Sequence, residues 1–202
     1  MDIGIYGGTF DPIHKGHTRL LLTAEKLCGL DKVIVMPDRI PPHKVREDMA
    51  SPEDRLAMCR LAFSGYENIE VSDWEIKREG KSYSVLTLRH LKKLYPEDRL
   101  WFIMGSDMLT SFTKWYCYEE ILTLSGLICM TRYKGDDAEL EAAAEELRAK
   151  GGRIKILPAE AFEVSSSQLR KLISDGGSIN EYLDSSVTEY INSKGLYRKR
   201  EG

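Results

Sequence analysis

The stretch Ile3-Gly4-Ile5-Tyr6-Gly7-Gly8-Thr9-Phe10-Asp11-Pro12-Ile13-His14-Lys15-Gly16-His17 decides how the chain is read. Ile3 to Tyr6 is a short apolar run ended by two glycines, the pattern of a buried first strand. Leu20, Leu21, Ala24 and Leu27 then fall at helical spacing, which predicts a helix over about 17–28. Between strand and helix lies a loop with little side-chain bulk. Gly7 and Gly8 lack a Cβ, so a ligand can come close to the backbone there. Thr9 offers a hydroxyl and an N–H, and Pro12 fixes a turn. His14 and His17 flank the first helical turn, where free N–H groups and a partial positive charge favour anions.

Outward from this stretch, strand and helix patterns alternate. Val33 to Met36, Ile69 to Val71, Leu100 to Met104, Leu127 to Met130 and Ile154 to Leu157 read as strands. Helices are expected from Ser51-Pro52, with serine at the N-cap and proline at the first helical position, and from Ser84 as N-cap through Leu94. Further helices are expected over Asp137 to Lys150, Ser165 to Ser174 and Val187 to Ser193. The proline-rich segment 37–49 reads as a loop. Repeated strand–helix units predict an α/β fold: a Rossmann-like, doubly wound, mostly parallel sheet with helices on both faces. Ligands of such sheets sit outside the carboxyl ends of the strands at a switch point, and the glycine–histidine loop follows the first strand. No repeat or linker divides the chain, so residues 1–202 are expected to form one domain, with a small helical closing region over about 160–202.

Bulk composition narrows the functions. With 202 residues, 42% hydrophobic and 30% charged, the chain can bury a core. A net charge of −3 gives no general attraction to nucleic acid or anionic membrane, so neither is expected as a partner. No stretch approaches the ~20 apolar residues of a membrane span, and the start has no secretory pattern. The four cysteines form no C-x-x-C pair. They read as reduced thiols of a cytoplasmic protein.

Residue chemistry alone leaves three readings of the glycine–histidine loop: a phosphate site, a structural turn, or a metal site built on two histidines. No acidic or cysteine ligand stands at a familiar zinc spacing, and the dinucleotide fingerprint G-x-G-x-x-G is absent. Ser165-Ser166-Ser167 before Leu169, Leu172 and Ile173 is a second helix start rich in hydroxyls, with Arg170 one turn in. It reads either as simple capping or as a second anion site.

The segment Gly7 to His17 resembles the GGTFDP-x-H-x-GH signature of the nicotinate- and nicotinamide-nucleotide adenylyltransferases. These belong to the nucleotidyltransferases marked by H-x-G-H, here His14-Lys15-Gly16-His17. Pro41-Pro42-His43-Lys44 resembles the family's P-P-H-K loop. Trp74-Glu75 through Thr87 is similar to the block E-x-x-R-x-G-x-SYT-x-x-T. Gly105-Ser106-Asp107, followed by Trp115-Tyr116, and Val164 to Arg170 resemble two further family segments, the details being closest to the bacterial nicotinate branch. Ser84 and Ser167 depart from the pattern by replacing threonine, each keeping a hydroxyl.

The resemblance implies transfer of the adenylyl group of ATP to nicotinate mononucleotide, giving nicotinate adenine dinucleotide and pyrophosphate in NAD biosynthesis. It implies catalytic roles for His14, His17, Lys44 and Arg170. ATP and phosphate contacts fall to Gly7, Gly8, Thr9, Phe10, Gly16, Gly105, Asp107, Arg132, Ser166 and Ser167. Contacts to the nicotinate nucleotide fall to Ser84, Thr87, Trp115 and Tyr116. Mg2+ would arrive on the ATP phosphates, with no protein metal ligand. If Ser84 is the N-cap, Thr87 occupies the third helical position and offers an unpaired N–H to the nicotinate carboxylate, while Trp115 stacks on the ring. Asp107 contacts the nucleotide or else caps the next helix. Rival readings are nicotinamide mononucleotide as main substrate, another H-x-G-H enzyme such as phosphopantetheine adenylyltransferase, and a non-catalytic nucleotide sensor. The sequence leaves a homo-oligomer open.

Overall fold

The computed structural model describes residues 1–41, 49–131, 137–158 and 164–198. Its elements in chain order are β1 (Asp2–Gly8), α1 (Lys15–Cys28), β2 (Lys32–Pro37), α2 (Pro52–Ala62), β3 (Ile69–Val71), α3 (Trp74–Lys77), α4 (Ser84–Leu94), β4 (Arg99–Gly105), α5 (Ser106–Leu109), a 3-10 turn (Phe112–Lys114), α6 (Tyr118–Leu124), β5 (Gly126–Thr131), α7 (Asp137–Ala149), β6 (Ile154–Pro158), α8 (Ser166–Ser174) and α9 (Ser185–Lys194). The strands form one sheet in the order β3-β2-β1-β4-β5-β6, and every adjacent pair is parallel. This is the doubly wound order with its switch point between β1 and β4.

Strand residues alternate between two apolar layers, as the period of two requires. Tyr6, Val33, Val35, Trp101, Ile103, Ile128 and Met130 face one layer, covered by Leu21 and Ala24 of α1, Met58 and Cys59 of α2, Leu169 and Ile173 of α8, and Val187 and Ile191 of α9. Ile5, Ile34, Met36, Phe102, Leu127 and Cys129 face the other, covered by Val85 and Leu88 of α4, Ile121 of α6, and Leu140 and Ala144 of α7. Burial on both faces explains why the strands read as continuous apolar runs rather than as an alternating pattern. The two carboxyl-terminal helices pack into the same layer as α1 and α2. All four cysteines are free thiols, two of them buried. Among the described residues no helix is long and apolar enough to cross a membrane.

The helix starts follow local chemistry. Ser51 Oγ accepts from the Asp54 N–H at 3.0 Å with Pro52 at the first helical position. Ser165 and Gln168 form a reciprocal capping box on α8. One expectation is corrected. Ser84 is not the N-cap of α4 but its first helical residue; the extended residue Tyr83 holds the cap position, and its carbonyl already accepts from Leu86 at 2.9 Å. Thr87 therefore occupies the fourth helical position, one turn beyond the cap carbonyl, rather than the third. The short helices α3, α5 and α6 had no counterpart in the sequence reading.

Candidate active site

The carboxyl ends of β1 and β4 lie side by side, Tyr6 opposite Ile103, and their following helices leave toward opposite faces. Gly7 and Gly8 end β1, while Gly105 ends β4 and is the N-cap of α5. The crevice of the switch point is thus walled by the two segments to which the sequence assigned nucleotide contacts. Asp107 lies inside α5, and its carbonyl accepts from Ser111 Oγ at 3.4 Å.

His14 is the N-cap of α1, so the helix begins two residues before the expected His17. The two histidines form a capping box. Gly16 N–H donates to His14 Nδ1 at 3.1 Å, and His14 N–H donates to His17 Nδ1 at 3.3 Å. With both Nδ1 atoms accepting, each neutral ring carries its proton on Nε2. The backbone of the helix start thereby selects one tautomer for both rings, whose centroids lie 3.8 Å apart. Phe10 adopts a left-handed backbone, φ 49°, at a cost of order 1 kcal/mol. Its ring sits edge-on to His17, centroids 5.3 Å apart. A Cβ on Gly8 would lie 2.8 Å from that ring, so any larger residue there must displace the Phe10 side chain.

The second helix start meets the first loop directly. Ser166 Oγ donates to the Pro12 carbonyl at 3.0 Å. Arg170 is 6% exposed. Its Nη1 donates to the Asp11 carbonyl at 2.6 Å and lies 3.5 Å from Asp11 Oδ2, and its Nη2 donates to Ser167 Oγ at 3.2 Å. Asp11 Oδ1 accepts from the Tyr197 hydroxyl at 2.7 Å and from Ala50 N–H at 3.1 Å. Burial and the neighbouring Asp11 carboxylate push the Tyr197 phenol well above its ordinary range. Ser166 and Arg170 are therefore bonded to the loop directly and Ser167 is linked to it through Arg170, whose guanidinium is turned onto Asp11.

Sequence reading missed Arg55 and Asp38. Arg55 is 1% exposed on α2. Nη1 donates to the Thr9 carbonyl at 2.7 Å and to Asp38 Oδ1 at 2.9 Å, Nη2 to the Arg39 carbonyl at 3.1 Å, and Nε to the Ala50 carbonyl at 3.4 Å. Asp38 Oδ2 accepts from Thr9 Oγ1 at 2.7 Å. The available signal was positional: Arg55 shares the buried stripe of α2 with Leu56, Met58 and Cys59.

On the opposite layer, the Thr87 hydroxyl donates to Glu75 Oε1, and both residues are buried. Desolvation raises the Glu75 carboxyl above its ordinary value, opposed by hydrogen bonds from Thr87 and Ser82. Trp115 packs on Phe112 and Phe102, centroids 5.2 and 5.8 Å away. Tyr116, 58% exposed, lies against Tyr83 at 4.9 Å. Ser84 is half-buried at the start of α4. His90 of α4 stacks on Trp74, ring centroids 4.3 Å apart.

Lys44, His43 and Arg132 lie outside the described residues. Among the described residues no group of three or more His, Cys, Asp or Glu is arranged to hold a metal ion. The carboxylates nearest the loop, Asp11 and Asp38, are engaged by arginine.

Residues 5–172 match the cytidylyltransferase-like family model. A protein of Desulfatibacillum aliphaticivorans named "Probable nicotinate-nucleotide adenylyltransferase" is 36% identical, covering 98% of this chain and all of that one. One of the same name from Shewanella pealeana is 38% identical over 98% of this chain and 96% of its own. Among solved structures, the Plasmodium falciparum nicotinic acid mononucleotide adenylyltransferase complexed with NaAD superposes with a TM-score of 0.77. It is 22% identical and covers 97% of each chain, so it supports the fold alone.

Proposed function

The chain belongs to the cytidylyltransferase-like family and, within it, to the nicotinate-nucleotide adenylyltransferases, and from that membership we infer its reaction: adenylyl transfer from ATP to nicotinate mononucleotide in NAD biosynthesis. An oxygen of the mononucleotide phosphate attacks the α-phosphorus, the bond from that phosphorus to the β-bridging oxygen breaks, and pyrophosphate leaves. The nucleophile's second pKa is near 6, so no general base is needed. Catalysis is then a matter of alignment and of donors placed where charge develops.

The observation that carries this reading is the meeting of two helix starts at the switch point, tied by Ser166 to Pro12 and by Arg170 to Asp11. In this proposal the Nε2–H groups of His14 and His17, with Thr9 and the N–H groups near Gly7, Gly8 and Gly16, hold the α-phosphate. Ser166, Ser167 and the α8 start hold the outer phosphates. Lys44 and Arg170 add positive charge toward pyrophosphate, Arg170 from its seat on Asp11. Phe10 shapes the loop, and Gly105, Asp107 and Arg132 face the nucleoside. Mg2+ enters as part of the ATP substrate.

For the pyridine, Ser84, Thr87, Trp115 and Tyr116 form the candidate pocket. With Tyr83 at the cap and Leu86 N–H already donating to its carbonyl, the helix-start donors left are the N–H groups of Ser84 and Val85, so the nicotinate carboxylate would meet those rather than Thr87 N–H. We further place the enzyme in the cytoplasm, where ATP is supplied, as one domain; self-association is open to a sizing experiment. Pyrophosphate release measured with the acid mononucleotide, the amide mononucleotide and phosphopantetheine tests the reading. The acid should give the highest kcat/KM; a faster amide overturns the choice of base, and a faster phosphopantetheine overturns the family branch.

A further inference from the structure

We propose that Arg55 is a positioning residue for adenylyl transfer, acting on His17 through Thr9 and Phe10 and holding both ends of the segment that carries Lys44. The inference rests on the reading of loop 7–17 as the phosphate site and goes one layer beneath it.

Four acceptors from three chain segments converge on one guanidinium. The Thr9 carbonyl comes from the first loop, Asp38 Oδ1 and the Arg39 carbonyl from the end of β2, and the Ala50 carbonyl from the residues before α2. Lys44 lies between the last two anchors in sequence. Asp38 closes the arrangement by accepting a hydrogen bond from the Thr9 hydroxyl with its other oxygen. Thr9 is therefore gripped at both its carbonyl and its hydroxyl.

The next residue is Phe10, whose left-handed φ of 49° needs an outside constraint to persist. Phe10 in turn sits edge-on to His17. A rotation at the Thr9–Phe10 peptide would move the Phe10 ring and free the His17 imidazole from its packed orientation.

Stability alone does not account for this arginine. A buried ion pair is often matched or exceeded by apolar residues of similar volume. What an apolar residue or a lysine cannot do is satisfy several fixed acceptors with one planar fork. Convergent geometry is the property that Arg55 supplies.

The test uses the full chain with ATP and nicotinate mononucleotide. Arg55→Lys keeps the charge and loses the fork. Its kcat should fall about 100-fold, the scale of a ~1 Å misalignment, while KM for the mononucleotide stays within a few-fold. Backbone hydrogen exchange at residues 9–17 should speed up in the folded variant. If Arg55→Lys does not fold, Asp38→Asn supplies the answer, with a smaller loss in the same parameter and the same loop exchanging faster. A folded variant with parental kcat and parental exchange overturns the inference, as does a loss of kcat that vanishes on cooling below the variant's unfolding transition. His17→Ala in parallel separates the layers. If it is inactive while Arg55→Lys is normal, this inference alone fails; if His17→Ala turns over normally, the loop reading falls and takes this inference with it.

Discussion

Tyr197→Phe deletes one oxygen and nothing else. Ring volume is kept, and the left-handed backbone at Tyr197, φ 63°, is no harder for phenylalanine than for tyrosine. What is lost is the 2.7 Å bond from the phenol to Asp11 Oδ1. Asp11 is buried beside Arg170, so the bond runs to a carboxylate in a poorly solvated place. Bonds of that kind contribute about 1.5–3 kcal/mol. Asp11 Oδ1 keeps the Ala50 N–H at 3.1 Å, so the oxygen is not orphaned and the lower half of that range is expected. For a chain of this length each kcal/mol moves the transition by about 2–4 °C, giving a drop in Tm of about 3–9 °C. Thermal unfolding followed by circular dichroism measures it. A double-mutant cycle with Asp11→Asn then asks whether the loss belongs to this contact, since a shared bond makes the two substitutions non-additive by at least about 0.5 kcal/mol. A Tm within a degree of the parent, or strict additivity, would refute the claim that the carboxyl-terminal segment braces the loop through Asp11.

His17→Ala should lower kcat by about 100-fold or more, the scale of removing a preorganised donor, while stability changes by only about 1 kcal/mol through loss of the His14 N–H bond; near-parental turnover contradicts the role given to this ring. Gly8→Ala forces the Phe10 ring to move from a 2.8 Å approach, and overpacking of this kind costs about 1–3 kcal/mol. The variant's KM for ATP should rise with it, and an unchanged Tm would show that the ring has room to yield. Glu75 has a raised carboxyl, so the folded state binds its proton more tightly than the unfolded state does. Its contribution must therefore weaken as pH rises from the ordinary value of 4.5 through the raised folded value. Glu75→Gln removes that dependence. Its Tm relative to the parent should shift in favour of glutamine across this window, and a constant difference would mean that the buried carboxyl does not titrate there.

The sheet and its main helices were legible because their signals are local. A strand covered on both faces shows as an apolar run; a serine before proline or an apolar stripe marks a helix start; two glycines end a strand where backbone must approach something. Each feature depends on neighbours a few residues away. Ser84 failed as a cap for a local reason as well: Tyr83, which precedes it, is extended and its carbonyl already accepts from Leu86, so the helix starts one residue early. Composition preferences rank serine above tyrosine as a cap but do not forbid the reverse.

The bracing of the loop was illegible for a different reason. Arg55 reaches Thr9 across 46 positions, and Tyr197 reaches Asp11 across 186. No pattern along the chain records such pairings, and an arginine within a polar-looking helix reads as solvated until its burial is seen. Arg170 shows how one signal serves two physical ends. An arginine one turn into a hydroxyl-rich helix start looks like an anion contact, and the structure turns its guanidinium to Asp11 and Ser167. Those two ends are compatible where the anion is large. A guanidinium fixed by backbone and carboxylate partners pays its ordering cost before substrate arrives, and in the role proposed for Arg170 its charge would act on phosphate without further rearrangement. The same logic holds for His14 and His17, whose Nδ1 atoms are committed to backbone N–H groups so that Nε2 carries the proton. The loop, which residue chemistry alone left open between a phosphate site, a structural turn and a metal site, is thus held from both sides: its helix start sets the histidine tautomers, while Arg55, Arg170 and Tyr197 hold Thr9 and Asp11.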